Sequence, residues 1–151
     1  MSAIQGVPIL GQMPCPYFEP RGVVPLSQLE NGRLPLLQEH EGLCRAEAEP
    51  FEAPAAMRFR YCNHGYSRGA CEHFPSHETR SALRYQLTAV TETELEIVVI
   101  EERDYAPAGW RVVKYSTGRE LLEPEIQDPC VRAQVLALCR TYLNRFSCSK
   151  A

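Results

Sequence analysis

Lysine is almost missing from this chain of 151 residues: of sixteen basic residues only Lys114 and Lys150 are lysines, and the other fourteen are arginines. The bias favours bidentate contacts to carboxylate or phosphate, although a GC-rich genome produces it equally well. A basic excess is missing too. Nineteen acidic residues leave a net charge of -3, which removes the bulk electrostatic case for a nucleic-acid or anionic-membrane partner. No apolar run approaches the length of a membrane span. Met1 to Leu10 contain no basic segment, and Gly6 and Pro8 break their short apolar run, so this stretch does not read as a signal peptide. These absences together predict a cytoplasmic protein.

Catalytic signatures are absent as well. The chain has no phosphate-binding glycine loop, no His-Glu-x-x-His, no Gly-x-Ser-x-Gly and no dinucleotide fingerprint. It has no internal repeat, coiled-coil heptad or low-complexity segment. Its length fits one domain spanning residues 1–151. The four cysteines of the first half include no tight pair separated by two to four residues, the usual spacing of a zinc knuckle.

What is present centres on Cys62-Asn-His-Gly-Tyr-Ser-Arg-Gly-Ala-Cys71, a loop with a cysteine at each end. Gly65 and Gly69 allow the sharp turns that would wrap such a loop around one small object. Cys15 and Cys44 lie upstream, separated by 28 residues, with 17 between Cys44 and Cys62 and 8 between Cys62 and Cys71. In a cytosolic setting thiols stay reduced, and such clusters bind metal more often than they form disulfides. Residues 1 to 61 also hold eight of the twelve prolines, leaving little room for long helices or central strands. A loop-rich half buries little apolar surface, and a metal cross-link would offset its chain entropy.

The pattern changes at Ala82. Leu83, Tyr85, Leu87 and Ala89 alternate with polar residues, as in a half-buried strand. Thr91 to Glu94 reads as a turn, Leu95 to Ile100 as a second strand, residues 104–109 as a loop, and Trp110 to Ser116 as a third strand. Asp128-Pro129 is a helix start, with a capping carboxylate and a proline in the first turn. Val131, Val135, Leu138, Cys139, Tyr142 and Phe146 then share one helical face. The expected fold is α+β: a loop-rich, cysteine-bearing half over 1–80, then over 81–151 a three-stranded antiparallel meander packed by the C-terminal helix.

Cys15, Cys44, Cys62 and Cys71 are the expected metal ligands. Four thiolates offered singly from separate loops suit a 4Fe-4S cluster better than zinc, and the bland alternative is four small buried side chains without metal. One of His64, His73 and His77 could replace Cys15 or Cys44 in a mixed set, although each taken singly reads better as a solvated loop histidine or a hydrogen-bond partner to a sulfur. Arg68 is a candidate to donate hydrogen bonds into the loop or to an acidic partner, and Tyr66 and Phe74 to shield the centre from water. Cys130, Cys139 and Cys148 fall nine residues apart, which turns successive members by half a circle on a helix, so they read as filler.

Cys15-Pro-Tyr-Phe-Glu-Pro20, Arg33-Leu-Pro-Leu36 ahead of Gly42-Leu-Cys44, and Cys62 to Cys71 together resemble a group of uncharacterised bacterial proteins with this four-cysteine layout. The resemblance covers roughly the first half of the chain. It implies a joint role for Cys15, Cys44, Cys62 and Cys71 and names no substrate. The expected function is therefore a small 4Fe-4S protein with a structural, electron-transfer or redox-sensing role and a redox partner protein. The alternative is a zinc-stapled module that binds protein or nucleic acid. An enzyme would need an open iron, with His64 or His73 as acid or base, and four cysteine ligands argue against one.

Overall fold

The computed structural model of the chain describes residues 14–24, 34–63, 71–74, 82–103 and 106–144. Among them are seven strands in two antiparallel sheets, one three-residue helical turn and one longer helix. This corrects the expected α+β arrangement of a loop-rich half followed by a three-stranded meander and packing helix. The protein is mostly β, and its first half carries a sheet of its own.

Prolines do not prevent that first sheet because they sit at its margins. β1 (Phe18–Val23) is an edge strand, and its pairing with β2 (His40–Cys44) shifts register between Pro20 and Gly22. Having no N–H, proline is tolerated at an edge or beside a bulge. Pro20 faces Gly42, where only glycine fits: a Cβ there would lie 2.1 Å from the Glu19 carbonyl oxygen and 2.8 Å from Pro20 Cα. β2 alternates buried His40, Gly42 and Cys44 with more open Glu41 and Leu43. That inward face is so poor in large apolar side chains that hydrophobic alternation does not announce a strand. β3 (Phe51–Glu52) pairs with the other side of β2 and sets Phe51 opposite Cys44. α1 (Ala55–Met57) and a π-turn over Arg58–Cys62 follow.

The second sheet is a four-stranded meander of β4 (Ala82–Val90), β5 (Glu94–Arg103), β6 (Ala106–Ser116) and β7 (Leu121–Glu123). Tyr85 and Leu87, then Leu95, Ile97 and Val99, then Val113 and Tyr115 form its buried face at a period of two. Thr91 fastens the first turn, its hydroxyl accepting from the Glu94 N–H at 3.0 Å and its own N–H reaching the Glu94 carbonyl at 2.8 Å. β6 starts at Ala106, ahead of the expected Trp110, because its ladder with β5 continues where burial has ended. Ala106 to Val112 are all exposed, and Trp110 keeps 70% of its surface open.

α2 (Pro129–Tyr142) begins at the expected cap: the Asp128 carboxylate accepts from the N–H groups of Cys130 at 2.8 Å and Val131 at 3.2 Å, with Pro129 in the first turn. Val131, Val135, Leu138 and Cys139 join the buried strand residues in the main core. Leu36 and Leu37 enter it from a tight turn closed by the Leu37 N–H on the Leu34 carbonyl at 2.8 Å. A smaller core joins Phe18, Ala53 and Cys62, with Cys15 and Met57 packed against it. α2 also lies against β1, and so touches both parts of the fold. Among the described residues no helix is long and apolar enough to cross a membrane.

Candidate metal centre

Four separate segments deliver the four cysteines. Cys15 precedes β1, Cys44 ends β2, Cys62 ends the π-turn, and Cys71 opens the turn at 71–74. Main-chain bonds tie these segments together. The Cys15 N–H donates to the Cys62 carbonyl at 3.2 Å, and Phe18, which faces Cys44 across the first sheet, donates its N–H to the Cys15 carbonyl at 3.0 Å. The Arg45 N–H reaches the Tyr17 carbonyl at 2.8 Å, and the Phe74 N–H reaches the Cys71 carbonyl at 3.1 Å. Phe74 is buried and meets Tyr17 edge to face, with ring centres 5.3 Å apart. Each of the six pairs among the four thiols is close enough for a charge on one sulfur to disfavour charge on another.

Negative charge is costly there. Burial pushes the Cys15 thiol up to about 12 against a hydrogen bond from the Tyr17 backbone, and Cys44, Cys71 and Cys130 push the same way as burial. Burial also raises Cys62, with Cys15, Cys44 and Cys71 adding to the effect. Cys44 is raised by burial, then pulled back by the Ala46 backbone, with Cys71 and Glu47 adding smaller upward pushes. Burial outweighs the opposing backbone hydrogen bonds at these three sulfurs, so without a metal Cys15, Cys44 and Cys62 are neutral thiols. No group of three or more His, Cys, Asp or Glu side chains among the described residues is arranged to hold a single metal ion.

The histidines divide. His73 places Nδ1 2.7 Å from Glu47 Oε2 and its ring 5.0 Å from that of Phe51. His64 and His77, with Gly65, Tyr66, Arg68 and Gly69, lie outside the described residues, as do Phe146 and Cys148. His40 is buried, with Nδ1 2.9 Å from the Gln38 carbonyl and Nε2 3.2 Å from the Thr141 hydroxyl. Burial lowers its pKa; the neutral ring then donates from Nδ1 and accepts at Nε2. Asn63, next to Cys62, clasps the His40 main chain, accepting its N–H at 2.8 Å and donating to its carbonyl at 2.8 Å. That clasp locks the Cys62 segment to β2.

Two residues escaped the sequence reading. Cys130, set aside as filler, is fully buried in the first turn of α2 and lies near enough to Cys15 to affect it. Gln134, one turn later, has no exposed surface. A glutamine among the apolar positions of an amphipathic helix was the available signal, since a buried amide is costly unless its hydrogen bonds are made. Comparisons of the chain with protein-family models, with curated proteins and with solved structures returned no match.

Proposed function

We propose that the chain is a small iron–sulfur protein holding one 4Fe-4S cluster through Cys15, Cys44, Cys62 and Cys71, the four positions of the layout it resembles. The carrying observation is that four thiols from four separate segments lie within electrostatic reach of one another. A lone zinc ion needs every sulfur about 2.3 Å from one centre, whereas a cluster takes each sulfur at a different iron and so suits a wider cage. The donor chemistry fits as well. Buried soft thiols that disfavour one another's negative charge form a site in which a bound metal would supply positive charge. The cluster would contribute one-electron chemistry, or a cross-link between β1, β2, the π-turn and the turn at 71–74.

The test is purification without oxygen, followed by iron, acid-labile sulfide and zinc analysis with a visible spectrum. Iron and sulfide with a broad brown absorbance support the proposal, and Cys62→Ser and Cys71→Ser should then each lose them. Stoichiometric zinc in a colourless protein would instead favour a zinc-stapled binding module. A protein with neither metal nor sulfide, whose cysteine variants behave like the parent, would end both readings.

A further inference from the structure

The turn that carries Cys15 is gripped by a single side chain from the far end of the chain. Gln134 Nε2 donates to the Cys15 carbonyl at 2.8 Å and to the Phe18 carbonyl at 2.8 Å. These are the first and last residues of the turn, which is itself closed by the Phe18 N–H on the Cys15 carbonyl. The Gln134 oxygen accepts the Tyr85 hydroxyl at 2.6 Å. Both amide hydrogens and the amide oxygen are therefore committed. The partners also fix the orientation of the amide, since a flipped group would set its oxygen against two carbonyls.

An apolar residue at position 134 would pack against α2's neighbours without the cost of burying an amide. What an apolar residue cannot do is hold two carbonyls three residues apart at fixed separation. From these contacts we infer that Gln134, oriented by Tyr85, is the positioning residue for Cys15 in the four-thiol centre. This rests on the proposed metal-binding role. It assigns α2 and β4 a part in the centre although they supply none of its ligands: they fix the backbone from which one ligand projects. Partners that orient a ligand in this indirect way typically change metal affinity by about 10- to 100-fold when removed.

The test uses the full chain loaded with ferrous iron and sulfide under anaerobic conditions, and follows loss of the visible absorbance to an excess of iron chelator. Three variants are compared with the parent: Gln134→Met, which removes all three bonds; Tyr85→Phe, which removes only the hydroxyl that orients the amide; and Gln134→Glu. Gln134→Met should lose the cluster about 10- to 100-fold faster, and Tyr85→Phe should fall between it and the parent. Gln134→Glu should release iron faster than the parent at neutral pH, and the gap between the two should narrow as pH falls, because a protonated carboxyl regains one donor towards the carbonyls. A parent chain that takes up no iron and sulfide overturns the metal-binding role, and this assignment with it. A loaded parent alongside folded Gln134→Met and Tyr85→Phe that release iron at the parental rate, whatever their melting temperatures, overturns the assignment alone. Should Gln134→Met not fold, Tyr85→Phe decides: parental release overturns the assignment, and faster release supports it.

Discussion

Replacing Gly42 by alanine tests whether the first sheet is what brings the thiols together. The new methyl carbon would lie 2.1 Å from the Glu19 carbonyl oxygen and 2.8 Å from Pro20 Cα, both main-chain atoms that cannot swing aside. Ordinary contact begins near 3.4 Å, so β1 and β2 must part at their centre. The Gly42 carbonyl, which accepts the Ala53 N–H at 3.0 Å, moves with them. Overpacking of this kind costs about 1–3 kcal/mol, and a buried hydrogen bond left unmade costs about 1–3 kcal/mol more. A total of about 2–6 kcal/mol is a large share of the roughly 5–15 kcal/mol that holds a typical domain together. Urea unfolding of the metal-free protein measures it. Gly109→Ala and Gly118→Ala are the controls, since a Cβ at either meets nothing within 4 Å and each should shift stability by less than about 0.5 kcal/mol. Because Cys15 leads into β1 and Cys44 ends β2, Gly42→Ala should also take up less iron and sulfide under conditions where it remains folded. A Gly42→Ala protein matching the controls in stability and the parent in loading would refute this account of the sheet.

Four further outcomes are expected. Cys15, Cys44 and Cys62 are held above the ordinary thiol value of 9.0, so metal binding must release protons, and affinity in chelator competition should fall as pH falls; a flat profile would contradict this. In the metal-free protein the same shifts act in the other direction: the unfolded thiols ionise near 9.0 while the folded ones keep their protons, so stability is full below 9.0 and declines as pH rises above it. His40 is neutral in the fold with its pKa held below the ordinary 6.5, so the unfolded chain takes up that proton first and stability falls as pH drops below about 6.5. Urea titrations at about pH 7.5 and about pH 5.5 should show a shallower loss in His40→Gln than in the parent, and identical losses would place the acid sensitivity elsewhere. Asp128→Ala removes the cap that receives the Cys130 and Val131 N–H groups and should cost about 1 kcal/mol in thermal unfolding; no change would mean that solvent serves those donors equally well.

How much the sequence discloses depends on how local the cause is. The Asp128-Pro129 cap acts within one turn of helix, and the alternation of Leu83, Tyr85 and Leu87 declares its own inward face. The first sheet is hidden because Pro20 is a strand breaker only in a central strand, and its place at an edge beside a bulge is a tertiary fact. β2 is hidden because its inward residues are a histidine, a glycine and a cysteine. β7 is three residues long, too short for any period to show. At the candidate site, cysteine count and proline density singled out four thiols, and the fold sets those four within electrostatic reach of one another. Gln134 shows itself in the sequence only as a polar residue among the apolar positions of α2; its partners do not, being Tyr85 and a turn more than a hundred positions away.

That separation sets an order of events during synthesis. Gln134 lies 119 positions after Cys15, and at about 5–20 residues per second a ribosome needs roughly 6–24 s to travel from one to the other. Throughout that interval the nascent turn from Cys15 to Phe18 has its own closing hydrogen bond and nothing to clamp it. The Cys15–Cys62 backbone bond spans a much shorter stretch and is available earlier. Assembly at this site therefore runs from a loosely gathered set of thiols to a fixed one, and the fixing step waits for α2. If the four thiols hold the proposed cluster, iron and sulfide meet the finished geometry only once α2 has been made and has docked.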